Sequence, residues 1–217
     1  MIVYDLETKR GVPDRKNPNL PGIEYCQGWD DCEGMGISVL CTYDTQKMKY
    51  AVYCEDNRQD FIDQAEREIV SGGKLVSYNG LSFDNRVIAA CWKYSIHDEH
   101  CYDVLVEIWK SHGLGPKYQY PSHVGFSLDD MAATNNFGAK SGNGAMAPVM
   151  WQRGQVGSVI TYCLEDVRLT TRLLRRAAEG KPLISSKTGE QFMLRPPLAA
   201  STPAVPGSMC CTQFTTG

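Results

Sequence analysis

The chain opens Met-Ile-Val-Tyr-Asp-Leu-Glu-Thr, two acids inside an apolar run, and this combination restricts the possible folds more than any other stretch. Residues 1–5 read as a short buried strand. Side chains two apart on a strand share a face, so Asp5 and Glu7 point to one side of a sheet. Two carboxylates placed there are costly unless something binds them. Acids recur in two other ordered contexts. Tyr78-Asn79-Gly80-Leu81-Ser82-Phe83-Asp84 puts Asp84 at a strand-to-helix junction. In Tyr162-Cys163-Leu164-Glu165-Asp166, Tyr162 and Asp166 stand four apart in a helical pattern and project from one stripe of the helix. Gathered together, the four acids offer hard oxygen donors that suit one or two divalent cations such as magnesium or manganese.

The rest of the chain supplies a frame for these residues. A Pro-, Gly- and Asn-rich loop over 9–31 lies beside the paired acids and is a candidate substrate-facing element. Apolar stretches at 36–43 and 49–54 around a turn at 44–47 predict an antiparallel hairpin. A surface helix is expected over 60–70, a strand over 74–78, and a helix from an N-cap at Ser82 to Trp92. Residues 101–104 read as a further strand, followed by a helix over 105–110 with Asp103 as its cap. Ser127-Leu128-Asp129-Asp130 resembles a capping box opening a helix to about 135. Residues 138–144 form a glycine-rich connection, and a long helix runs over 156–178 to Gly180. Residues 183–194 make at most a small hairpin, and 195–217 form a Pro/Ser/Thr-rich, largely disordered tail. The fold class implied is α/β: a mixed sheet with a three-stranded antiparallel part and parallel strands, flanked by helices. Residues 1–180 are expected to form the domain and 181–217 an appendage.

Charge and cysteines narrow the function. A formal net charge of -3 gives no broad basic field, yet a carboxylate cluster lowers net charge without forbidding local basic patches. Nine cysteines at irregular spacing, with no signal segment before them, fit reduced thiols in a cytoplasmic protein. Cys26 and Cys32 are spaced too widely for the usual zinc pair, and Cys210-Cys211 fall in the tail. No apolar run is long enough to cross a bilayer. None of the four histidines has an evident nucleophilic partner, which disfavours serine or cysteine hydrolase chemistry.

Taken in order, the three motifs resemble those of the DEDD 3′ to 5′ exonucleases, in the tyrosine-containing DEDDy subgroup, on the ribonuclease-H-like fold. The resemblance spans about residues 1–178. Asp5-Leu6-Glu7, followed by Thr8, matches the first motif. Asn79-Gly80-Leu81-Ser82-Phe83-Asp84 is similar to the second motif in proofreading domains of family-B polymerases. Tyr162 and Asp166 match the third. Residues 114–125 and 138–144 align with no one subfamily, and no polymerase or helicase portion is present, so a free-standing nuclease or a subunit is expected.

The resemblance implies a site. Asp5, Glu7, Asp84 and Asp166 would be ligands to two Mg²⁺ or Mn²⁺ ions about 4 Å apart, with Asp5 bridging. A tyrosine is a poor base at neutral pH, so Tyr162 would orient the attacking water. Leu6 and Thr8 would lie beside the terminal nucleotide, and Asn79 and Phe83 would touch the next sugar or base. Lys140 and Arg153 are candidates for phosphate contacts, and Arg168, Arg172, Arg175 and Arg176 for a solvated helix face. The expected partners are single-stranded DNA or RNA 3′ ends, with DNA favoured, and replication or repair proteins. The alternatives are a 3′ to 5′ exoribonuclease of the ribonuclease D type, a ribonuclease-H-type endonuclease, and a catalytically idle nucleic-acid-binding subunit.

Overall fold

The computed structural model describes residues 1–14, 18–138 and 144–197. Lys140, Cys210, Cys211 and the tail from residue 198 lie outside these described residues. A five-stranded sheet with the order β3-β2-β1-β4-β5 forms the centre. β1 (Ile2–Thr8) runs antiparallel to β2 (Ile37–Asp44), which pairs in turn with β3 (Lys49–Tyr53). On its other side β1 lies parallel to β4 (Leu75–Ser77), and β4 to β5 (Cys101–Asp103). The mixed antiparallel and parallel sheet is therefore the one expected. β1 continues through Thr8, beyond the predicted 1–5, so both acids sit within the strand.

Among the described residues, seven α-helices accompany the sheet: α1 (Cys32–Met35), α2 (Arg58–Val70), α3 (Asp84–Trp92), α4 (Val104–Ser111), α5 (Leu128–Thr134), α6 (Ala147–Gln152) and α7 (Val156–Ala178). Two of them, α1 and α6, were not anticipated. A small hairpin of β6 (Leu183–Ile184) and β7 (Gln191–Phe192) follows α7.

Alternation along β1 divides the core. Ile2, Tyr4 and Leu6 enter one buried cluster with Phe61, Ala65, Val87, Ile88 and Trp92 from α2 and α3. Val3 enters the other, with Val39, Cys41 and the inner stripe of α7, including Tyr162, Cys163 and Val167. Asp5 and Glu7 continue the Val3 face by the two-residue period, which aims them at α7. The Cys163 thiol donates to the Asp5 carbonyl oxygen at 3.3 Å and marks where helix meets strand.

The sheet opens where the acids begin. β4 pairs with β1 only at Ile2↔Leu75 and Val3↔Val76, while β2 stays paired with β1 to its end. Beyond Val3, β1 thus has one strand neighbour and a gap on the other side. Such a crevice at the carboxyl ends of parallel strands is where open α/β sheets place ligands.

Candidate active site

A cleft of about 420 Å³ occupies that gap, within the size range of small-molecule sites. All nine residues singled out in the sequence line it: Asp5, Leu6, Glu7, Thr8, Asn79, Phe83, Asp84, Tyr162 and Asp166. β1 supplies the first four, the turn after β4 and the start of α3 supply the next three, and α7 supplies the last two.

Asp5, Glu7 and Asp166 come closest together. One carboxylate oxygen from each lies within 4.8 Å of the others, and Glu7 and Asp166 are buried. Three hard oxygen donors at this spacing fit a divalent cation of the magnesium or manganese kind, and no thiol or imidazole appears among the described lining residues to favour a softer metal.

Asp84 stands beside this trio rather than in it. Its Oδ1 accepts the Leu6 amide at 3.1 Å, which ties the start of α3 to the residue between the two β1 acids. Burial pushes its pKa up to about 7, and the negative fields of Asp103 and Asp166 add to the rise, against the opposing effect of backbone hydrogen bonds. A carboxylate in this state gains strongly from a nearby cation.

The turn that delivers Asp84 is wound tightly. Asn79 adopts a left-handed backbone with φ of 68°, and the amides of Ser82 and Phe83 both donate to its carbonyl oxygen. Gly80 passes so close to β4 that a Cβ there would sit 2.1 Å from Ser77 Oγ, so only glycine fits. Phe83, rather than the predicted Ser82, holds the N-cap position, and it makes no side-chain cap. The winding of the turn spends a residue before the helix can begin, which makes Asp84 the first helical residue. There the helix dipole favours an anion.

Asp103 braces this turn from below. As predicted, it caps a helix, accepting the amides of Leu105 and Val106 at 3.0 and 3.3 Å. It also reaches back to the amides of Asn79 and Leu81 at 2.9 and 3.1 Å, a contact that strand-and-cap reasoning did not foresee. Burial raises its pKa, and the four amides oppose the rise.

Tyr162 is buried on α7, and its hydroxyl comes near enough to Gly144 that a Cβ there would lie 3.2 Å away. The far wall of the cleft combines the 9–31 loop with α6. Val12, Ile23, Tyr25 and Trp29 line it together with Ala145, Pro148 and Val149. Gln152 latches the two together: its amide nitrogen donates to the carbonyl oxygens of Lys9 and Glu24, both at 2.9 Å, and its oxygen accepts the Glu24 amide at 2.7 Å. The sequence signals for this wall were faint: apolar residues inside a Pro/Gly-rich loop, and Pro148 at a helix start. Arg153 is exposed just after α6 and is absent from the lining. Arg172 and Arg176 do more than solvate a face, since they donate to the carbonyl oxygens of Phe137 and Pro182 and so dock neighbouring segments onto α7.

The seven described cysteines are all free thiols. Among the described residues, no helix is long and apolar enough to cross a membrane. The family model of the RNase_H superfamily matches residues 27–178, a span that holds the Asp84 turn and α7 but begins after β1. No curated protein matches the chain significantly.

Proposed function

The chain belongs to the ribonuclease H superfamily, and within it we propose a metal-dependent 3′ to 5′ exonuclease that shortens single-stranded nucleic acid, DNA in preference to RNA. The observation that carries this reading is the trio of Asp5, Glu7 and Asp166, with oxygens within 4.8 Å of one another, in a cleft that also holds Asp84 and Tyr162. The preference for DNA rests on the likeness of the Asn79–Asp84 turn to that of DNA proofreading domains.

In the proposed reaction the oxygen of water bonds to the terminal phosphorus and the bond from phosphorus to the 3′ oxygen breaks. The shortened strand keeps a 3′ hydroxyl, and a 5′ mononucleotide leaves. Magnesium or manganese, bound by Asp5, Glu7 and Asp166 with Asp84 beside them, would supply charge neutralisation at the phosphate and a more acidic water. Tyr162 orients that water by hydrogen bonding, a role suited to a phenol whose ordinary pKa near 10 makes it a weak base. Leu6 and Thr8 flank the terminal nucleotide along β1. Asn79 and Phe83, on the Asp84 turn, meet the sugar or base that follows. The activity is assigned to residues 1–180, with Leu183 and Leu194 of the following segment packed into the same core. Replication or repair proteins are the partner class that such an activity would serve.

A 5′-labelled single-stranded DNA and its RNA counterpart, each incubated with Mg²⁺, Mn²⁺ or a chelator, test the proposal. A ladder shortening from the 3′ end, abolished by chelator and faster on DNA, is expected. Internal fragments would instead reveal an endonuclease, and binding with no cleavage an idle nucleic-acid-binding subunit.

A further inference from the structure

Trp29 is 69% exposed, a large apolar surface to leave in water. Single exposed aromatics are ordinary on protein surfaces, so exposure alone assigns nothing. The position of Trp29 does. It lines the carboxylate cleft and also a second cavity of about 740 Å³, and Val12 and Ala145 are shared between the two in the same way. The two spaces therefore adjoin, with the indole bordering both.

The loop holds this ring in place. The Asp31 carboxylate accepts the amides of Gln27 and Gly34 at 2.8 and 2.9 Å, and the Asp31 amide donates to the Gly28 carbonyl oxygen at 3.1 Å, a turn that encloses Trp29. Next to it, Asp30 pairs with Arg86 of α3 at 3.1 Å. Phe83 meets the indole nearly perpendicular, at 71° and 6.4 Å between ring centroids. The ring thus contacts the element that carries Asp84 and keeps most of its surface exposed while bordering both cavities.

We propose that Trp29 is a stacking platform for an unpaired base upstream of the cleaved nucleotide, where the strand passes from the carboxylate cleft into the second cavity. An aromatic face accepts any base but needs that base out of a duplex, so Trp29 selects single-stranded ends. This subsite rests on the exonuclease reading of the carboxylate cleft.

The test uses the full chain in chelator, with oligodeoxynucleotides and oligoribonucleotides carrying 2-aminopurine at the second or third position from the 3′ end. Wild-type protein should quench one of these probes, and Trp29→Ala should lose the quench and bind about tenfold or more weakly, as loss of one stacked base implies. Trp29→Phe should restore most of the affinity, and thermal melting should show all three proteins folded. In magnesium, KM for the single strand should rise in Trp29→Ala by a similar factor. If Trp29→Ala binds and quenches as wild type does, or if a blunt duplex binds as tightly as the single strand, the platform is overturned while cleavage by wild type still upholds the nuclease reading. If wild type neither binds nor cuts any of these strands, the nuclease reading fails and the platform with it.

Discussion

Two helices in this protein start on a buried aspartate, and the two starts use it in opposite ways. At α4 the Asp103 carboxylate is taken up by four backbone amides, from Asn79, Leu81, Leu105 and Val106. At α3 Asp84 is as deeply buried, with 4% exposure against 3%, yet among the described residues the one amide it takes from elsewhere in the fold is that of Leu6. Burial raises both pKa values. Depth alone therefore does not mark a functional acid. The difference lies in whether the protein's own donors have already used the charge: the satisfied acid holds a turn in shape, and the other turns its need toward the cleft.

Exchanging each acid in turn puts this contrast at risk. Asp84→Asn should lower cleavage by about a thousandfold or more, because several kcal/mol of charge stabilisation depart with a carboxylate beside the proposed metal site. Its far-ultraviolet spectrum should stay that of wild type. A rate within tenfold of wild type would place Asp84 among structural acids beside Asp103.

The same residue predicts how the metal-free protein responds to pH. Its folded pKa, about 7, lies above the ordinary 3.8, so the folded state binds more protons through that window. Stability in chelator should therefore fall as pH rises from about 4 to about 7 and level off above. Asp103 slopes the same way, so the comparison is between wild type and Asp84→Asn. The variant should be the more stable of the two at pH 8 and their difference should vanish near pH 4; equal melting at both values would contradict this.

Asp103→Ala should act on folding instead. It leaves four inward amides without their acceptor, at a cost of about 3 kcal/mol, visible as an earlier urea midpoint. Cleavage below that midpoint should fall far less than in Asp84→Asn. The smallest effect belongs to Tyr162→Phe, which loses one oriented hydrogen bond and should slow turnover about tenfold at unchanged stability. A slowing as large as that of Asp84→Asn would give the phenol more than an orienting role.

Much of this architecture could be read in the chain because it follows from short-range periods. The two-residue alternation in β1 placed Asp5 and Glu7 together, and the four-residue spacing in α7 did the same for Tyr162 and Asp166. Hairpin, strands and long helix likewise announce themselves by local pattern. What stayed hidden was long-range or against type. Asp103 looks like a cap and is one, but its second pair of amides comes from a turn two dozen residues earlier, which no local pattern encodes. Ser82 is the better N-cap by residue type, yet the left-handed Asn79 shifts the helix start past it. α6 is six residues long and begins with Ala-Pro, too short for an amphipathic period to show.

The Gln152 latch has a temporal consequence. It bonds to Lys9 and Glu24 across sequence separations of 143 and 128 residues, and Asp166 joins Asp5 across a span longer still. Contacts this remote carry a loop-closure entropy that must be met before they reward it. A chain still emerging from the ribosome can already hold β1, β2 and β3 while having neither the far wall of its cleft nor the third carboxylate of its trio. The proposed centre therefore stays incomplete until α7 has been made.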